Sequence, residues 1–291
     1  MKPLTLALAQ YAIERVAGVE GFGARLDRLA AEAAARGAEM LVLPEYAAVE
    51  SAGHYVASPD VVAELAAVTS RSADLLAAMR AAAMRHRLWL APGSLPMPVG
   101  QKIRNRAPLI APDGRVAWQE KRVMTRFETE SWGISPGDAP AVFATPWGLI
   151  GLAICYDIEF PALVRAAVVA GAWLVLCPCC TDTMWGFNRV RLAARARALE
   201  NQCYVVIAPT VGAAPWSAAL DDNHGYAAAF GPVDRGFPPD GVLARGALDE
   251  PGTVFVRLDP ERLAGVRAEG GVRNHADWPP DPKPCPVRTP A

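Results

Sequence analysis

GAEMLVLP, residues 37–44, is echoed by GAWLVLCP at 171–178. Both segments are eight residues long, open on Gly-Ala, close on Pro and follow a stretch with helical spacing of apolar residues. A glycine after a helical stretch ends it, and the short apolar run that follows reads as a buried strand. Two such units predict an α/β chain of two similar halves whose sheets pack face to face.

Working outward, strand and helix alternate along the whole chain. Leu4–Ala9 reads as a strand and Gly23–Arg36 as a helix. A long helical stretch runs from Val61 to Arg87, and LWLAPGSL (88–95) returns as strand. Residues 102–121 read as a hairpin joined at Pro112-Asp113-Gly114, followed by a polar loop ending in SPGD at 135–138. Two further strands lead to Cys155, then a helix over Pro161–Ala170, the strand WLVLC, a helix over Phe187–Asn201 and the strand CYVVIAP. A loop-rich region covers 210–226, with strands near 227–231, 241–246 and 253–258 and a helix near 260–268. No linker divides the two halves, so one domain is expected over 1–278, with a proline-rich tail at 279–291.

The bulk composition narrows the partners. The chain has 291 residues, 52% of them hydrophobic, and a formal net charge of −1. Such a balance gives no expectation of nucleic acid or an anionic membrane as partner. No window reaches the roughly 18 uninterrupted apolar residues of a membrane span. The N-terminal MKPLTLALAQ alternates like a strand and lacks a cleavage pattern, so a cytoplasmic location is expected. Six cysteines, at 155, 177, 179, 180, 203 and 285, lie largely in apolar runs and read as buried free thiols. CPCC (177–180) has no second ligand cluster at zinc spacing, and the histidines are few: His54, His86, His224 and His275. Small buried residues are the simpler account, and neither metal nor cofactor is expected. His224, in DDNHGY, reads as a loop or pocket-rim residue.

Three chemistry-bearing residues stand where a strand meets a loop: Glu45 after LVLP, Lys121 closing the hairpin and Cys155 closing LIGLAI. Singly, each has an ordinary structural explanation, an inert core thiol or a solvated charge. Together they complement one another. A thiol nucleophile needs a base for its proton, which Glu45 can supply, and a cation for the oxyanion it creates, which Lys121 can supply with a backbone N–H after Cys155.

PEY (44–46), EKRV (120–123) and GLAICYDIEFP (151–161) resemble the three signature segments of the nitrilase superfamily of carbon–nitrogen hydrolases. The likeness extends through SPGD, the echoing VLCP strand and RARALENQCYVV (195–206), about residues 4 to 260 in all. It implies a four-layer α-β-β-α sandwich of two face-packed mixed sheets, assembled as a homodimer or higher homo-oligomer through helices. It also implies Glu45 as general base, Lys121 as oxyanion stabiliser and Cys155 as nucleophile in a thioester mechanism. The family pattern places a second glutamate between the lysine and the Pro-Gly turn. RFETESWG (126–133) offers Glu128 and Glu130, and Glu130, two residues before Trp132, is the expected one. Substrate contacts are expected from Tyr46, Trp132, Tyr156, Thr181, Asp182 and Trp185, while Asp157 and Glu159 are expected to cap the following helix. The substrate class implied is a small linear amide or N-carbamoyl compound. A nitrile substrate is the alternative within the class; a catalytically idle binding subunit is the alternative outside it.

Overall fold

The computed structural model describes residues 2–279. Its first half runs β1 (Leu4–Ala12), α1 (Gly18–Ala35), β2 (Met40–Val42), α2 (Val61–Thr69), α3 (Ser72–His86) and β3 (Trp89–Ala91). β4 (Leu95–Val99), the hairpin β5 (Lys102–Ile110) and β6 (Val116–Glu120), and α4 (Arg126–Glu130) follow. The second half runs β7 (Val142–Thr145), β8 (Gly148–Leu152), α5 (Pro161–Val169), β9 (Leu174–Cys179), α6 (Met184–Asn201) and β10 (Tyr204–Val211). β11 (Ala228–Phe230), β12 (Val242–Arg245), β13 (Gly252–Leu258) and α7 (Pro260–Glu269) complete it.

These elements make a mixed α/β fold with a curled sheet of 13 strands, whose main path is β4-β5-β3-β2-β1-β10-β9-β8-β7. The two halves meet where β1 pairs β10 in parallel, through Tyr11↔Thr210 and Ala12↔Val211. β2 lies parallel between β1 and β3, and β9 lies parallel between β8 and β10, so the two echoed segments occupy matching interior places. Interior parallel strands are covered on both faces, which is why both segments read as continuous apolar runs.

Alternation in β1 divides the core. Leu4, Leu6 and Leu8 share one buried cluster with Ile150, Leu174, Leu176 and Val205 from the second half. Ala7, Ala9 and Tyr11, on the opposite face, share another with Phe22 and Leu26 of α1 and Leu75 and Met79 of α3. A period of two sends successive side chains to opposite faces, so one strand serves both clusters.

Three local expectations are corrected. The helix read over 61–87 is two helices: the hydroxyls of Thr69 and Ser70 turn back onto the carbonyls of Leu65 and Ala66, at 2.8 and 2.7 Å, and Ser72 bonds the Thr69 carbonyl. Such side chains compete with the helical ladder and break it. The loop after the hairpin contains α4, started by a capping box in which Thr125 and Glu128 bond each other's backbone N–H groups. α1 begins at Gly18, ahead of the expected Gly23. Of the proline-rich tail, residues 280–291 lie outside the described residues.

Candidate active site

Glu45 leaves the end of β2 through a tightly fitted corner. Its backbone bridges to Ser94, and the Tyr46 N–H donates to the Ser94 carbonyl at 2.9 Å. Gly93, at φ +81°, lets the two chains approach: a Cβ there would stand 1.7 Å from the Pro44 carbonyl oxygen. Tyr46 itself adopts a left-handed φ of 62°, uncommon for a residue with a side chain and found preferentially at functional sites.

Lys121, the residue after β6, is fully enclosed between two carboxylates. Its Nζ donates to Glu45 Oε1 at 2.8 Å and to Glu128 Oε2 at 2.7 Å, and all three side chains are buried. Glu128 also accepts from the Tyr46 hydroxyl at 2.5 Å, from Asn105 Nδ2 at 3.1 Å and from the Thr125 N–H at 2.9 Å. Asn105 Nδ2 lies 2.9 Å from Glu45 Oε1 and 2.8 Å from the Tyr46 hydroxyl. The turn that ends this segment is held by the Gly137 N–H donating to the Lys121 carbonyl at 2.8 Å. A Cβ at Gly137 would meet Glu120 at 2.2 Å.

Cys155 opens a short 3₁₀ turn, Cys155–Glu159, beyond the end of β8, and it too has a positive φ, 47°. The residue after β9 connects it to Glu45. The Cys180 N–H donates to Glu45 Oε2 at 3.3 Å, and the Cys180 carbonyl accepts the Cys155 thiol at 3.6 Å. Residues 45, 121, 155 and 180, distant in sequence, thus converge just past the C-terminal ends of β2, β6, β8 and β9.

Burial dominates the electrostatics, and the groups respond unequally. Burial pushes the Glu45 carboxyl up from its ordinary value, with Lys121 opposing and the Glu128 charge adding to the rise; a hydrogen bond from the Cys155 thiol also opposes it. Burial acts on Glu128 too, yet the charge and hydrogen bond of Lys121, with bonds from Tyr46 and Thr125, hold it below its ordinary value. Burial alone would lower the Lys121 ammonium, but the Glu45 and Glu128 charges hold it well above its usual range. Burial drives the Cys155 thiol well up, reinforced by Glu45 and opposed by Lys121. Two acids sharing one cation are thereby driven apart, one a settled anion and the other within reach of a proton. A protonated thiol beside a carboxyl of raised pKa is an arrangement in which the proton can pass from sulfur to carboxylate as the sulfur attacks.

The expected site residues divide accordingly. Glu45, Lys121 and Cys155 come together. The glutamate on Lys121 is Glu128, correcting the expectation placed on Glu130: the Glu130 side chain is 58% exposed and pairs with Arg126 at 2.9 Å. The capping turn of α4 points Glu128 inward, and two residues further round the helix Glu130 faces solvent. Trp132 packs edge-on against Tyr46 at 5.1 Å and donates to the Val61 carbonyl, bracing Tyr46 from behind. Tyr156, half-buried, packs on Phe160 at 4.9 Å. Thr181 is buried and exchanges bonds with the His224 backbone, while Asp182 is exposed and Trp185 is 79% exposed at the start of α6. These last two are surface residues in the isolated chain.

Asp157 does not cap the following helix, which corrects that expectation; its carboxylate accepts the backbone N–H groups of Arg122 and Val123, the latter at 2.8 Å. Glu159 reaches Arg189 at 3.4 Å. Sequence reasoning missed Asn105 and the Cys180 peptide. The signal for Asn105 was a polar residue within the β5 run KIRNRAPLI, where an amide is retained without solvent. Nothing in the side-chain pattern marks a peptide group such as that of Cys180. The five cysteines within the described residues are free thiols, and there no group of three or more His, Cys, Asp or Glu side chains could hold a metal ion. No helix among these residues is long and apolar enough to cross a membrane.

The chain is 32% identical over 276 residues to a probable hydrolase of Bacillus subtilis, covering 94% of this chain and 53% of the relative, so it spans about half of that protein's length. It is 29% identical to the omega-amidase NIT2 of Xenopus tropicalis, covering 94% of this chain and 95% of the relative. The amidase from Nesterenkonia sp. AN1, solved with acrylamide added at its active-site cysteine, superposes with a TM-score of 0.72 at 27% identity. That match covers 94% of this chain and 99% of the amidase chain. The model of the carbon–nitrogen hydrolase family matches residues 5–268. On that match, which takes in every strand of the described residues but for the first residue of β1, together with Glu45, Lys121, Glu128 and Cys155, the chain belongs to the carbon–nitrogen hydrolase family, within the nitrilase superfamily.

Proposed function

We propose that this chain hydrolyses a small linear amide or N-carbamoyl compound through a thioester on Cys155, with Glu45 as proton carrier and Lys121 as oxyanion stabiliser. One observation carries the reading: the Cys180 backbone donates its N–H to Glu45 and accepts the Cys155 thiol at its carbonyl, with Lys121 on the same carboxylate. The amidase activities named for the Xenopus and Nesterenkonia relatives favour amides over nitriles.

The steps balance as follows. The Cys155 proton passes to Glu45 as the sulfur bonds the carbonyl carbon. The oxygen that gains the electron pair is stabilised by the Lys121 ammonium, assisted by the Tyr156 N–H. The C–N bond then breaks, Glu45 returns the proton to the leaving nitrogen, and ammonia or an amine departs from the thioester. A water gives a proton to Glu45 as its oxygen bonds the same carbon. The C–S bond breaks, the thiol regains its proton from Glu45, and the acid is released. Glu128 stays anionic throughout as the partner of Lys121.

Three further features of the proposal extend beyond the site. The two halves pack face to face as a four-layer α-β-β-α sandwich, supported by the sharing of one buried cluster between Leu4, Leu6 and Leu8 and the strands of the second half. Copies of the chain pair through helices, supported by the exposure of Val169 on α5 and of Leu192 and Leu199 on α6. A reducing, cytoplasmic setting suits the free thiols.

Ammonia release measured over a panel of ω-amides, N-carbamoyl amino acids and nitriles, with Cys155→Ala as control, tests the function. Release from amides or carbamoyl compounds that vanishes in the variant is expected. Release from nitriles alone, or none from the panel, would overturn the substrate assignment.

A further inference from the structure

Asn105 sits within β5 with no exposure to solvent. Its backbone and side chain both serve the buried cluster. The Asn105 carbonyl accepts the Lys121 N–H at 2.9 Å, fixing the point where the lysine leaves the hairpin. Its Nδ2 faces Glu45 Oε1, the Tyr46 hydroxyl and Glu128 Oε1 at 2.9, 2.8 and 3.1 Å. The Asn105 Oδ1, equally buried, has no partner among the described residues. An orphaned buried acceptor is unfavourable, so an apolar side chain would suit a strand interior better. What the position gains instead is a neutral donor shared between two acids.

That sharing is uneven by construction. Glu128 also takes bonds from Lys121, the Tyr46 hydroxyl, and the Thr125 N–H and hydroxyl. Glu45 has Lys121, the Cys180 N–H and the Cys155 thiol besides Asn105. The Asn105 amide is therefore a larger fraction of what holds Glu45 than of what holds Glu128. Because the Tyr46 hydroxyl accepts from Asn105, its own proton is directed to Glu128.

We propose that Asn105 is a positioning residue that gives the two glutamates their unequal parts, fixing Glu128 as the permanent partner of Lys121 and holding Glu45 oriented to take the Cys155 proton. This rests on the reading of Glu45 as proton carrier. The groups facing Glu45 are Lys121 beyond β6, Glu128 on α4, Cys155 beyond β8, Cys179 and Cys180 at the end of β9, and Tyr46 beside it. None of the others is a neutral side chain donating to both carboxylates.

The test follows the alkylation of Cys155 by iodoacetamide across pH, mapped by peptide mass, in the wild type, Glu45→Gln, Asn105→Ala and Asn105→Val. Valine suits a strand interior and carries the test where alanine leaves the chain unfolded. Removing a donor to a carboxylate favours its protonated form, so the acid limb of alkylation is expected to move to higher pH by about one unit in either folded Asn105 variant. On an amide substrate the same variants are expected to lower kcat with KM little changed. An acid limb that vanishes in Glu45→Gln but stays in place without Asn105 would overturn the role of Asn105 and leave Glu45 standing. A limb that persists in Glu45→Gln would overturn the reading of Glu45 itself.

Discussion

The Asp157 carboxylate, two residues beyond Cys155, accepts the backbone N–H of Val123, two residues beyond Lys121, at 2.8 Å. The turn carrying the thiol and the segment carrying the ammonium are therefore tied directly, without passing through either reactive group. Replacing Asp157 by alanine leaves the Arg122 and Val123 N–H groups without their acceptor and lets the two segments drift. A tenfold or greater fall in kcat on an amide substrate is expected, with the chain less resistant to urea.

The same carboxyl makes stability pH-dependent in an unusual sense. Burial, only partly offset by the Arg122 and Val123 N–H bonds, raises its pKa from 3.8 to about 6. A carboxyl whose folded pKa exceeds its unfolded one favours folding while protonated, below about pH 4, and loses that contribution as pH rises to about 6. Relative to Asp157→Asn, the wild type is expected to lose up to about 3 kcal/mol across that window. Urea unfolding of both proteins at pH 4 and pH 7 measures the difference, and a constant difference would refute the assignment.

Activity should follow Glu45. With its pKa raised, the acid limb of kcat/KM is expected above the ordinary glutamate value of about 4.3, activity falling as Glu45 becomes protonated and unable to receive the thiol proton. Glu45→Gln is expected to lower kcat by at least about a hundredfold, the scale of a lost general base. A limb at the ordinary glutamate value would count against burial as the controlling influence.

Glu128 and Glu130 separate by a paired substitution. Glu128→Gln leaves the buried Lys121 with less countercharge and is expected to destabilise the chain by roughly 3 kcal/mol and to lower activity at least tenfold. Glu130→Gln removes an exposed pair with Arg126 and is expected to change stability by less than about 0.5 kcal/mol, with activity unaffected. Thermal melts and ammonia release decide between them.

Gly93 offers a test at the corner behind Glu45 that alters no side chain of the site. A methyl there meets the Pro44 carbonyl, so Gly93→Ala must displace the corner that aims Glu45. Loss of activity exceeding the loss of folded protein is the expected result.

Much of this was legible in the chain because the relevant residues end apolar runs. LVLP, the hairpin and LIGLAI each stop on a chemical group, and strand ends hold such groups rigidly. The echo at 37–44 and 171–178 marked two strands that do occupy equivalent interior places. What escaped depended on direction rather than composition. Glu128 and Glu130 differ by two positions on one helical turn, and the capping box decides which of them turns inward. Asp157 looked like a cap because it precedes a helix, but its partners lie more than thirty residues earlier in the chain. The break at Thr69-Ser70 is made by hydroxyls in a sequence whose apolar spacing alone favours continuous helix.

The central claim, a thioester on Cys155, is tested most directly by acid-quenching the protein during turnover of an amide and locating the added acyl mass by peptide mapping. The acyl group is expected on Cys155 and nowhere else. Ammonia release with Cys155 unmodified, or the acyl mass on Cys177, Cys179 or Cys180, would contradict the account.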